Sequence, residues 1–148
     1  MPLPRWSTAD FESMSWHDCH VHAIRVTEGQ NGSGELELDL DYIVEWIKQP
    51  EGITFRLIPA VLQFHEVTDL KVQLDWATPT AALGPFSLDR IERVSIQRAH
   101  YTATTWCLHV NWPSGSIAFE AAGFVQEAWG REVVSRNQYL RRSERIDA

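Results

Sequence analysis

Apolar and polar residues alternate along most of this chain. The clearest run is Glu35-Leu36-Glu37-Leu38-Asp39-Leu40-Asp41-Tyr42, which places Leu36, Leu38, Leu40 and Tyr42 on one face and four carboxylates on the other. That period of two is the pattern of a strand with one buried face. Gly29-Gln30-Asn31-Gly32-Ser33-Gly34 has the composition of a turn, which makes the segment from about Cys19 to Thr27 the hairpin partner. Ile43 to Ile47 is read as the end of the same strand rather than a helical turn. Ile53, Phe55 and Leu57 alternate again up to Pro59, which has no N–H for a ladder and marks an edge or a break. Apolar character resumes at Val61, Leu62 and Phe64, and Leu70, Val72, Leu74 and Trp76 alternate with Lys71, Gln73 and Asp75. Thr78 to Ser87, with two prolines and a glycine, reads as a loop.

Beyond it, Ile91 to Arg98 forms a short strand with Val94 and Ile96 on one face. Trp106, Leu108, Val110 and Trp112 make the next alternating face, expected to point into the core. Pro113-Ser114-Gly115 then turns the chain, and Ile117, Phe119 and Ala121 answer on the return strand. A helical period exists only from Ser135 to Arg145, and it is weak. About seven strands with one-sided alternation and hairpin turns predict an all-β fold: an antiparallel β-sandwich or flattened barrel with at most one short C-terminal helix. The domain organisation expected is a single β domain over residues 1–148, with an extended N-terminal segment (1–15) and a C-terminal extension (131–148). Seven Trp and six Phe supply bulk for the space between sheets. Trp6, Trp16 and Trp129 fall in loop-like sequence, where an indole serves either as a surface anchor or as a plug at the end of the core.

Composition narrows the class. With 148 residues, 44% hydrophobic and 22% charged, the chain is a globular domain rather than a disordered or fibrous one. No apolar run approaches the roughly 20 residues of a membrane helix, and Met1 to Trp16 lacks the apolar stretch of a secretory signal. Cys19 and Cys107 are too few for a disulfide framework, so free thiols in a reducing cytoplasm are expected.

The net charge of -7 is unevenly spread. Residues 1–70 carry twelve acids and four bases, and residues 71–148 carry eight acids and nine bases. The basic stretch with Arg131, Arg136, Arg141, Arg142 and Arg145 is interrupted by Glu132, Glu144 and Asp147, which argues against nucleic-acid binding. An acidic surface instead favours a basic protein partner. Glu35, Glu37, Asp39 and Asp41 are the candidate partner-binding face; the alternative is a solvated outer face that discourages edge aggregation.

The other conspicuous cluster is His17-Asp18-Cys19-His20-Val21-His22. On a regular strand Asp18, His20 and His22 would share a face, and with His17 they make a candidate Zn²⁺ site, completed by His65, Glu66, His100 or His109. Metal-bound water would then serve as a hydrolytic nucleophile. Against this, paired zinc knuckles and the His-Glu-x-x-His helix are both absent, and an Asp near a strand entry commonly bonds backbone N–H groups. No nucleophile elbow or phosphate loop is present, and Cys107 with His109 would need a depressed thiol pKa and an orienting third group to act as a nucleophile, so a half-buried sheet cysteine is the expectation. A ligand carrier would need an open apolar cavity, which this much Trp would fill.

His17-Asp18-x-x-Val21, Leu36-x-Leu38-x-Leu40, Leu62-x-Phe64-x-x-Val67-x-Asp69-Leu70 and Ile117-x-Phe119-x-Ala121-x-Gly123-Phe124 together resemble a group of small, largely uncharacterised bacterial all-β proteins. That group includes immunity proteins of polymorphic-toxin systems. The chain departs from it in its loops, in its C-terminal stretch, and in having His20 where an acidic residue is expected. The resemblance implies a non-enzymatic protein that binds and blocks a toxin domain; the acidic charge balance would suit a basic nuclease toxin, and no obligate cofactor is expected. The residues thus favour a cytoplasmic binding protein, with a metal-binding protein or hydrolase as the alternative. Long strands such as Gly34 to Trp46 also leave room for a homodimer.

Overall fold

Period-two alternation becomes nine antiparallel strands in a computed structural model that describes residues 2–77 and 83–145. They are β1 (Arg5–Ser7), β2 (His20–Glu28), β3 (Gly34–Gln49), β4 (Gly52–Leu74), β5 (Phe86–Gln97), β6 (Thr102–Trp112), β7 (Gly115–Glu120), β8 (Gly123–Ala128) and β9 (Val133–Ser135). The strand order is β1-β8-β4-β3-β2-β5-β6-β7, and β7 pairs back onto β4. Six strands therefore close a ring, which leaves few free edges. The all-β expectation holds. The only helical turns among the described residues are 3₁₀ segments at Thr8–Ser13 and Arg142–Glu144, so most of the weak period after Ser135 is not helix. No helix among the described residues is long and apolar enough to cross a membrane.

β4 organises the sheet. One edge pairs β3 from Gly52 to Val67, and the other is shared by β9 at Phe55–Leu57, β8 at Ala60–His65 and β7 at Thr68–Leu74. Pro59 does not break the strand, contrary to the expectation from its missing N–H. Its carbonyl accepts from Trp129 N–H (2.9 Å) on the edge where pairing passes from β9 to β8, so no ladder position asks Pro59 for a donor.

The inward faces carry Leu36, Leu38 and Leu40 from β3, Leu62 and Phe64 from β4, Trp106 and Leu108 from β6, Ile117 from β7 and Phe124 from β8. Phe64, Trp106, Phe119 and Phe124 pack in edge-to-face and tilted pairs with centroids 4.7–5.8 Å apart. Trp112 is not part of this core; it is 49% exposed. Val110 opposes Leu88 but Trp112 opposes Ser87, so Asn111 is an extra residue that turns Trp112 to the outer face. Trp16 is buried, and its Nε1–H donates to Gln126 Oε1 at 2.8 Å. The first fifteen residues are not simply extended: β1 adds to β8, and Phe11 on the 3₁₀ turn packs against Trp16, Trp106 and Phe124. The strand expected from Ile91 starts earlier, at Phe86; within the loop expected before it, residues 78–82 lie outside the described residues.

Candidate functional site

The four carboxylates of β3 do share the outer face, and each is met by a donor from elsewhere in the chain. Glu37 pairs with Arg25 directly across the β2–β3 ladder at 2.9 Å. Glu35 accepts from His65 Nδ1 at 2.8 Å and from the Glu66 N–H at 3.0 Å. Asp39 accepts from Arg145 through both Nη1 (3.0 Å) and Nη2 (2.7 Å), and from Trp129 Nε1–H (3.0 Å). Asp41 accepts from His22 Nε2 (2.6 Å), Leu140 N–H (2.8 Å) and Arg145 Nε (2.8 Å).

The face read as partner-binding, or else as solvated, is therefore graded along the strand, and at Asp39 and Asp41 it is occupied by the chain's own Arg145. Asp41 has no exposed side-chain surface and Asp39 is about a third exposed. Burial pushes the Asp41 carboxyl upward, but the hydrogen bonds from His22 and Leu140 and the neighbouring charges of His22 and Arg145 outweigh it. The net shift is below the ordinary carboxylate value. The arm responsible comes from the far end of the chain: after β9 the backbone crosses β3, buries Leu140 completely, and inserts Arg145 between two carboxylates with its guanidinium 5.0 Å from the Trp129 ring.

The histidine cluster is not brought together as a ligand set. Asp18 sits at φ 63°, outside the strand, so the alternation expected from residue 18 does not begin until His20. A β-bulge between Val21 and Ala23 then makes His22 an extra residue on β2. His17 Nε2 stays 3.4 Å from Asp18 Oδ2, but otherwise the side chains go to separate bonds. Asp18 accepts from Asn111 Nδ2 (3.0 Å) and Gln138 Nε2 (2.9 Å); His17 Nδ1 meets the Asp89 carbonyl (3.2 Å); and His20 packs on Tyr139 at 4.9 Å between ring centroids. Among the described residues, no group of three or more His, Cys, Asp or Glu is placed to hold a metal ion. Cys19 is fully buried, and burial lifts its thiol to about 12, which silences it as a nucleophile.

Open grooves adjoin the acidic strand towards both of its ends. One, of about 740 Å³, is lined by His22, Asp39, Arg142, Arg145, Trp76 and Trp129, so its charges are of both signs and Asp39 and Arg145 already hold one another. Another, of about 680 Å³, lies at the opposite end of β3, between the Gly29–Ser33 turn, the β4 segment at Glu66–Thr68, and β6 with the end of β7. Its charged lining residues are Glu35, Glu66 and Glu120 alone, interspersed with Thr68, Tyr101, Thr102 and Thr104. Glu66 is exposed at φ 55°, a left-handed conformation uncommon for a non-glycine residue. Glu120 accepts from Tyr101 Oη–H (3.0 Å) and Arg98 Nη2 (3.1 Å) at the rim. Glu120 did not stand out in the sequence, and Glu66 did so only as a possible metal ligand, because their proximity to Glu35 depends on the β4–β7 and β3–β4 registers.

The chain matches no family model, no curated protein and no solved structure.

Proposed function

We propose that this is a non-enzymatic binding protein that captures a basic protein partner in the glutamate-lined groove at the turn end of β3. The observation that carries this reading is the composition of that groove: every charged side chain lining it is an acid. Such a lining sets up a negative field that draws cationic side chains and rejects acidic ones. The other half of the same strand offers an internal precedent. There a guanidinium is held by Asp39, Asp41, the Leu40 carbonyl and an indole face. An arginine presented by a partner would meet the exposed Glu66 first, with the charges of Glu35 and Glu120, already bonded to His65 and to Arg98 and Tyr101, adding to the field around it.

The resemblance to immunity proteins of toxin systems fits this role, with a basic toxin domain as the partner. The acidic residues then act by steering encounter and by occupying the toxin's cationic surface, and no bond is made or broken.

The test uses a fluorescent arginine-rich peptide and anisotropy over a salt series. Binding by the wild type should weaken as salt rises, since screening shortens the reach of exposed charges to about 8 Å at physiological ionic strength. Glu66→Lys should reduce affinity by about tenfold or more, while Glu37→Lys, on the face already paired with Arg25, should change it little. Salt-independent binding, or equal loss in both variants, would refute the assignment to this groove.

A further inference from the structure

β3 is longer than the partner on one of its edges. β2 pairs it from Gly34 to Asp41, whereas β4 continues to Gln49 on the other side. The chain preceding β2 runs beside the first residues past Asp41, where the Ser15 N–H donates to Tyr42 Oη at 3.4 Å; farther on, the His17 ring lies nearly parallel to Trp46 with centroids 6.0 Å apart and leaves the indole 41% exposed. A β-bulge between Ile43 and Glu45 takes Val44 out of register. What remains is a regular edge of five residues, Glu45-Trp46-Ile47-Lys48-Gln49, with no strand against it among the described residues. Such an edge presents unpaired N–H and C=O groups that can template another strand.

We infer that this edge is a homodimer seam, in which β3 pairs antiparallel with β3 of a second copy about a two-fold axis through Ile47. That centre is the one register that pairs all five residues. It sets Ile47 against Ile47, Trp46 against Lys48 and Glu45 against Gln49. Directly opposed side chains point to the same face, so each must match in chemistry. No like charges are opposed, and Lys48 reaches the Trp46 ring, which is 41% exposed in the single chain and suits a cation–π contact.

The same face carries Phe55, edge-on to Trp46 at 4.9 Å, and Ile53, 45% exposed. Joining two hairpins would run this apolar strip across the seam of a continuous sheet β9-β4-β3-β3-β4-β9. A foreign strand would meet the edge without this self-complementary register, which is why a second copy is the occupant assigned.

Analytical ultracentrifugation of the full chain tests this over about 1–100 µM, where a modest interface would associate. The wild type should shift from monomer to dimer across that range. Trp46→Lys, which opposes Lys48, should raise the dimer dissociation constant by about tenfold or more. Trp46→Lys combined with Lys48→Glu should restore dimerisation, because a new ion pair then replaces the indole–lysine contact. Circular dichroism and the urea midpoint confirm that each variant is folded. A wild type that stays monomeric throughout overturns the seam, and a folded double variant that fails to re-form the dimer overturns the Ile47-centred register.

Discussion

Truncating Arg145 to Ala tests whether the C-terminal arm is part of the folded structure or only rests on it. The Arg145 side chain is 8% exposed and makes four hydrogen bonds, two to Asp39, one to Asp41 and one to the Leu40 carbonyl. Its loss leaves Asp41, with no exposed side-chain surface, to be satisfied by His22 and the Leu140 N–H alone. Breaking a buried ion pair from one side costs about 3–5 kcal/mol, and the two donors that stay behind place this case at the low end, about 3 kcal/mol. In a chain of this length that lowers Tm by about 6–12 °C.

Urea unfolding followed by tryptophan fluorescence reads the effect as a shifted midpoint with unchanged slope. Arg145→Lys keeps the charge but not the fork that spans both carboxylates, and should lose about half as much. Adding Asp41→Asn to Arg145→Ala should recover part of the loss, with a coupling of at least about 1 kcal/mol, because the stranded charge is removed as well. A loss under about 1 kcal/mol for Arg145→Ala alone would refute the argument, since a buried Asp41 cannot give up its cation so cheaply.

The closure of the ring is testable at Gly115, where an added Cβ would collide with the Gln73 carbonyl across the β4–β7 seam. Gly115→Ala should destabilise by about 1–3 kcal/mol and raise amide exchange in Lys71–Leu74 before other parts of β4. At His20, burial leads the shift and holds the imidazole below its ordinary value of 6.5, against the opposing pull of the Asp18 carbonyl, Asp41 and Asp18 and with the aid of His22. The unfolded chain therefore takes up a proton first as pH falls, so the stability present above about pH 6.5 declines as pH drops from there towards the folded value. His20→Gln should flatten that decline, and unfolding free energies compared at pH 7.5 and 5.5 in both proteins check it.

Most strands were legible because period-two alternation is a local property: the Leu36–Leu40 face, the β2–β3 hairpin and the turn at Pro113–Gly115 each need only a few consecutive residues. The exceptions have local geometric causes. Asn111 and His22 are extra residues in their ladders, and one extra residue turns the next side chains to the other face, which exposes Trp112 and disperses the histidines. Pro59 reads as a break until its carbonyl and missing N–H are seen to fall at a change of partner. The carboxylates of β3 were visible as a row, but their partners were not. Arg145 lies 104 residues from Asp41 and His65 lies 30 from Glu35, and no periodicity encodes a contact of that span.

The length of β4 also has a consequence for synthesis. β3 and β4 leave the ribosome together, yet the three strands that cover the other edge of β4 follow only at Gly115–Glu120, Gly123–Ala128 and Val133–Ser135. At about 5–20 residues per second, some 40–60 residues of further translation hold that edge open for roughly 2–12 seconds. During this interval the nascent chain offers a long apolar strand, Leu57 to Phe64 included, to any neighbour able to pair with it. Slowing elongation after Leu74 should therefore lower soluble yield, whereas slowing it before Gly52, when β4 has yet to emerge, should leave yield unchanged.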